Sequence, residues 1–140
     1  MNPKDITIGE RVHYWNVTMG MIRTHPFIGN GVNLYAKKFQ SFSPTQEAYA
    51  GYAHNSYLQM WSEIGIFGLL VFLFPLFYFI PKALKQNELE WPSALRSVWA
   101  VGLTAFLLQA FLDTHFYSFQ TSVLFWMSWA LLVRWTIPSR

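Results

Sequence analysis

From Ile64 to Pro81 the chain reads IGIFGLLVFLFPLFYFIP, without a single charged side chain. A helix rises 1.5 Å per residue, so about 18–20 such residues cross the hydrocarbon core of a bilayer. The run is apolar on every side, whereas the helix of a soluble domain keeps one polar face. Trp61 stands just before it, and Lys82 and Lys85 just after. Pro75 is tolerated in a membrane helix and predicts a kink. The chain's 140 residues would suffice for one soluble core. Only 12% of them are charged, however, against about 25% in ordinary soluble domains.

Two more apolar runs follow. One goes from Ser93 to Leu112, with Arg96 near enough to its end to snorkel. Asp113, Thr114 and His115 then make a short turn, and the other run goes from Phe116 to Val133, closed by Arg134. The expected fold is all-α and integral to a membrane. It has three transmembrane helices near 64–81, 94–112 and 117–134, and an N-terminal extracytoplasmic helical arm. Residues 1–63 form the arm, 64–135 the transmembrane region and 136–140 a tail.

Basic residues in short loops set orientation. Lys82, Lys85, Arg96, Arg134 and Arg140 share one side, and the opposite turn carries Asp113 with no Lys or Arg. The basic side, with the C-terminus, reads as cytoplasmic. The arm then faces the periplasm of a bacterial inner membrane. Residues 1–9 lack an apolar core of signal-peptide length. Membrane spans without an early hydrophobic segment read as the C-terminal piece of something longer. There is no cysteine, and a net charge of +3, scattered along the chain, gives no footprint for nucleic acid.

The arm carries its own signals. Thr7 with Glu10 is a capping box, so a helix is expected from about Ile8. Val12, Trp15, Met19 and Ile22 recur at helical spacing and give it an apolar face. His25-Pro26 stops it, Gly29-Asn30-Gly31 turns, and Gln40 to Gly51 reads as an irregular loop. A second capping box, Ser56 with Gln59, starts a helix that runs into the first span.

Among the histidines, His54 stands immediately before that helix start. The positive end of a helix dipole disfavours an imidazolium, and a neutral imidazole is ready to act as a general base. A capping or surface-loop role is the plainer alternative. His13 and His25 read as surface residues. His115 could be oriented by Asp113 beside it, although a solvated turn explains both. No His pair has metal-ligand spacing. Arg11, Arg23 and Lys37-Lys38 suit phosphate, from anionic headgroups or a lipid diphosphate; a solvated face explains them equally well. Glu63, at the membrane boundary, fits either a buried partner for a basic group or a solvated residue.

Four segments in order carry a resemblance: Arg11-Val-His-Tyr-Trp15, Thr24-His-Pro-Phe-Ile-Gly29-Asn-Gly31, His54-Asn55-Ser56-Tyr57-Leu58-Gln59, and Glu63-Ile-Gly65-Ile-Phe-Gly68. Together they resemble the O-antigen ligase and O-antigen polymerase superfamily, multispanning glycosyltransferases. The resemblance implies metal-independent transfer of a glycan from undecaprenyl diphosphate to an acceptor sugar, lipid A-core for a ligase or another glycan unit for a polymerase. It implies His54 as catalytic base and Arg11 on the diphosphate side, with Arg23, Asn55 and Glu63 as substrate-binding residues and no cofactor. It also implies further N-terminal transmembrane segments as partners, since the family has about ten spans or more. The alternatives are a noncatalytic small membrane protein and an inactive truncated product that retains the outer arm.

Overall fold

The computed structural model describes residues 8–43, 50–85 and 93–137. Thr7, residues 44–49 of the expected loop, the connector 86–92 and residues 138–140 lie outside them. The described residues are all-helical: α1 (Ile8–Thr24), α2 (Tyr35–Phe42), α3 (Ser56–Leu84), α4 (Ser93–Gln109), a one-turn 3-10 helix (His115–Tyr117) and α5 (Phe119–Thr136).

The arm has a small core of its own. Val17 and Met21 of α1 pack with Tyr35 and Phe39 of α2 and with Ala50 and Ala53. The buried stripe of α1 is therefore offset from the expected one, and Val12 is exposed. Thr18 shifts it. Its hydroxyl pairs with the Tyr35 phenol at 2.6 Å and donates to Tyr14 O at 2.7 Å, and a polar group so satisfied can be buried. The α2 helix replaces the first part of the expected Gln40–Gly51 loop.

The α3 helix is long and apolar enough to cross a membrane. Its backbone leaves the helical region at Gly65 (φ 73°, ψ 176°), not at Pro75, where the kink was expected. That break frees polar backbone groups, and the turn after α1 takes them up. Asn30 N donates to Ser62 O at 2.8 Å and Gly31 N to Glu63 O at 2.9 Å, while Ile66 N donates to Pro26 O at 2.9 Å. Trp61 Nε1 also donates to Pro26 O, and Asn30 Nδ2 to Ser62 O. Gly29 and Gly65 both adopt positive φ, and each lies so close to the other segment's backbone that a Cβ would overlap it. The arm and the apolar helix are thus locked together by main chain.

Below this lock, α3, α4 and α5 bundle around Leu76, Ala83, Ala100, Leu103, Phe125 and Leu132. Among the described residues α3 alone is both long and apolar enough to cross a membrane, with α4 a shorter apolar helix over Ala94–Gln109. α4 ends at Gln109, and α5 carries Gln120, Thr121, Ser122, Ser128 and Arg134. The expected three-residue turn is longer and holds the 3-10 helix. Arg96 lies in the first turn of α4. It is buried, and its Nη1 donates to Trp135 O at 3.1 Å, among the orphan carbonyls that end α5.

Candidate functional site

The peptide before His54 is held from two sides. Trp15 Nε1 donates to Ala53 O at 3.1 Å, and Ala53 N donates to Gln59 Oε1 at 3.0 Å. Gln59 is therefore not the far half of a capping box. The cap is Asn55, whose Oδ1 accepts from Tyr57 N and Leu58 N, each at 3.0 Å. Between these fixed points His54 adopts a left-handed backbone (φ 49°). That conformation costs roughly 1–2 kcal/mol in a residue with a Cβ and turns the side chain out of the path of the helix.

The His54 ring stacks on Tyr14, centroids 6.0 Å apart. Its Nδ1 lies 3.3 Å from Asp113 Oδ1. An ionised carboxylate only accepts, so Nδ1 carries a proton, and in the neutral ring Nε2 is then the nitrogen with the lone pair. Burial raises the Asp113 pKa. The Thr114 N–H, the His54 bond and charge, and the His115 charge outweigh it and hold the carboxyl below its ordinary value. Asp113 is therefore an anion at neutral pH.

The sequence offered Asp113 to its neighbour His115. The structure gives it to His54 instead. The His115 ring lies against Phe106, centroids 5.4 Å apart, and its Nε2 is buried without a hydrogen-bond partner among the described residues. His13 is half-buried; its ring meets Tyr14 and Phe39 edge-on. His25 is exposed, as expected. Asp113 is the residue that sequence reasoning missed as a partner of His54. Its one signal was a lone carboxylate in the short turn between two apolar runs, on the same side as the arm that carries His54.

Arg11 reaches the same turn. Its Nη1 donates to Leu112 O, the carbonyl next to Asp113. Neighbouring carbonyls at this end of α4 are taken by the start of α3. Tyr57 OH donates to Leu107 O at 2.7 Å, Ser56 N to Ala110 O at 2.9 Å, and Ser56 Oγ to Asp113 O at 2.9 Å. The structure thus sets Arg11 and His54 on consecutive residues of one turn. Arg23 is not brought there. It is exposed at the other end of α1, about 18 Å away along the helix axis at 1.5 Å per residue.

Glu63 is 3% exposed, and protein donors occupy both its oxygens: Tyr35 N to Oε1 at 3.3 Å and Tyr117 OH to Oε2 at 3.0 Å. Burial and then the adjacent carboxylate push the Tyr117 phenol well above its usual range, so it remains a donor. Glu63 pins α2, α3 and the outer turn together. Asn55, besides capping α3, stands at one end of an apolar groove of about 550 Å³ between α3 and α4, whose walls include Trp61, Leu73, Phe77, Leu107 and Phe111. Among the described residues no group of three His, Asp or Glu side chains is placed to hold a metal ion.

In comparisons with known proteins, the sequence matches the model of a family described as O-antigen ligase over residues 2–73, just over half of the chain. That stretch holds Arg11, the glycine turn, His54 and Gly65; Asp113 lies beyond it. No curated protein and no solved structure matches.

Proposed function

The chain belongs to the O-antigen ligase family, and on that premise we propose that it serves transfer of a glycan from undecaprenyl diphosphate to an acceptor sugar, with His54 as the general base. The observation that carries this reading is the His54–Asp113 pair with Arg11 bonded to the adjacent carbonyl. An acceptor hydroxyl is a poor nucleophile until its proton has somewhere to go. His54 Nε2 accepts that proton as the oxygen attacks the anomeric carbon. The bond from that carbon to the diphosphate breaks, and the leaving group departs with the electron pair. Asp113 keeps the imidazole in the accepting tautomer and stabilises the imidazolium that forms. Arg11 spends one nitrogen on Leu112 O; its other N–H groups remain to meet charge building on the diphosphate. Nothing in these steps calls for a cation or a cofactor. The apolar groove beginning at Asn55 offers the polyprenyl tail a lining almost without polar atoms.

Arg11 tests the leaving-group half of this reading. Arg11→Ala should lose most glycan transfer, while Arg11→Lys should keep part of it, because charge survives but the planar fork does not. The readout is high-molecular-weight lipopolysaccharide for a ligase, or a chain-length ladder for a polymerase. Equal activity of Arg11→Ala and the parent would remove Arg11 from the reaction.

The same reading sets α3, α4 and α5 across the inner membrane with the arm in the periplasm. The absence of native cysteine makes this simple to check. In intact cells with a permeable outer membrane, Ser43→Cys should react with an impermeant maleimide. Gln86→Cys should react only after lysis. The reverse pattern would invert the topology.

A further inference from the structure

We propose that the turn Pro26 to Leu34 is a wedge seated in the outer leaflet of the membrane, with lipid as its partner and Arg23 and Lys37 in the phosphate layer. The segment reads PFIGNGVNL and holds no charge. Phe27 is 59% exposed, Ile28 76% and Val32 72%. Single exposed apolar residues are ordinary, but a contiguous cluster on one turn marks a surface that meets something apolar.

Three observations name lipid as that partner. The first is depth. The turn is bonded to the backbone of residues 62–67, where the charge-free run begins. The Phe27 ring stacks on Phe67, centroids 5.7 Å apart. From Phe67 the exposed apolar surface continues down α3 through Leu70, Val71 and Phe74, so the patch is continuous with the face of the membrane-capable helix. The second is polar satisfaction. Irregular backbone survives at membrane depth only where its groups are paired. Here Gly29 N donates to His25 O, Asn30 N and Gly31 N donate into α3, and Pro26 O and Phe27 O accept from it, so the base of the turn is paired. Ile28 N, Val32 N and Asn33 N have no main-chain partner among the described residues, which sets the tip at the hydrated headgroup boundary rather than deep in hydrocarbon. The third is charge. Arg23 at the end of α1 and Lys37 in the first turn of α2 bracket the wedge, and both are exposed. Neither has an ion pair among the described residues. Cations on either side of an apolar tip suit a layer of lipid phosphates, with the tip about 5–10 Å deeper. Arg23 thereby acquires a role away from the reaction, in keeping with its distance from Arg11.

The proposal rests on the reading of α3 as a membrane span, and its test separates the two. Single cysteines at Ile28, Val32, Phe74 and Ser41 are labelled with an environment-sensitive fluorophore in the full chain. The protein is reconstituted in phosphatidylcholine–phosphatidylglycerol vesicles doped with lipids carrying a nitroxide at a shallow or a deep position. The Ile28 and Val32 probes should be blue-shifted and lose more emission to the shallow nitroxide than to the deep one. The Phe74 probe should show the opposite order, and the Ser41 probe on α2 should stay water-like. Quenching at Phe74 with water-like emission at both Ile28 and Val32 overturns the wedge and leaves the span intact. Blue-shifted but unquenched probes at Ile28 and Val32 overturn it as well, because protein rather than lipid then covers the turn. No quenching at Phe74 removes the span and the wedge together.

Discussion

With His54→Ala at its chromosomal locus, a strain should accumulate normal levels of the protein and lose glycan transfer by about 10²–10⁴-fold, the usual worth of general-base assistance. The protein level should hold because the groups that shape this loop lie on other residues. Trp15 and Gln59 hold the Ala53 peptide, and Asn55 caps α3. Among the described residues the ring itself makes one long hydrogen bond and one stack. Asp113→Asn probes the same step from the other side. Its amide can turn either its oxygen or its NH₂ toward Nδ1, and the second choice puts the proton on Nε2, the wrong nitrogen for a base. Transfer should therefore fall sharply while binding of the lipid-linked donor is kept. Near-normal ladders or lipopolysaccharide bands from His54→Ala would end the base assignment and leave a structural loop residue. A loss in His54→Ala with none in Asp113→Asn would keep the base and discard its orienting partner.

The second large effect is expected at Gly65. Gly65→Ala should abolish stable accumulation of the protein. The backbone there sits at φ 73°, and the added Cβ would overlap the Phe27 carbonyl. The left-handed backbone and the hydrogen bonds lost as the two segments part together cost roughly 3–5 kcal/mol, a large part of an ordinary domain's stability of about 5–15 kcal/mol. Gly29→Ala meets the mirror problem, against the backbone of Glu63 and Ile64. Gly102→Ala is the control: it lies within α4 with open space where the Cβ would go. Membrane-fraction immunoblots and thermal unfolding in detergent measure all three. A Gly65→Ala protein that accumulates and melts like the Gly102→Ala control would mean that the lock between turn and helix contributes little.

What was legible in the sequence is local. The charge-free run foretells α3, and the His25-Pro26 stop falls next to the observed end of α1 at Thr24. What was not legible depends on partners far along the chain. Thr18 reads as polar, and only the phenol of Tyr35 makes it a core residue. The short α2 carries two lysines in eight residues and declares itself only by burying Tyr35 and Phe39. Pro75 is the obvious kink in the sequence, yet the break falls at Gly65. A proline removes one donor from a helix, whereas a glycine can leave the helical region altogether when another segment stands ready to bond the groups it frees. For His54 the sequence places the residue and its helix start. The carboxylate that fixes its tautomer is separated from it by the whole of α3 and α4, and no periodicity reaches that far.

The closure of the α4 end has a consequence for biosynthesis. Arg11, Ser56 and Tyr57 emerge from the ribosome before the carbonyls of Leu107, Ala110 and Leu112 that they bond, and His54 emerges before Asp113. On the proposed reading, a chain that stalls or is cut ahead of Asp113 therefore displays a base with nothing to set its tautomer. The reaction centre comes into being only when the end of α4 and the Asp113 turn dock, so catalytic competence itself reports that synthesis has passed Asp113.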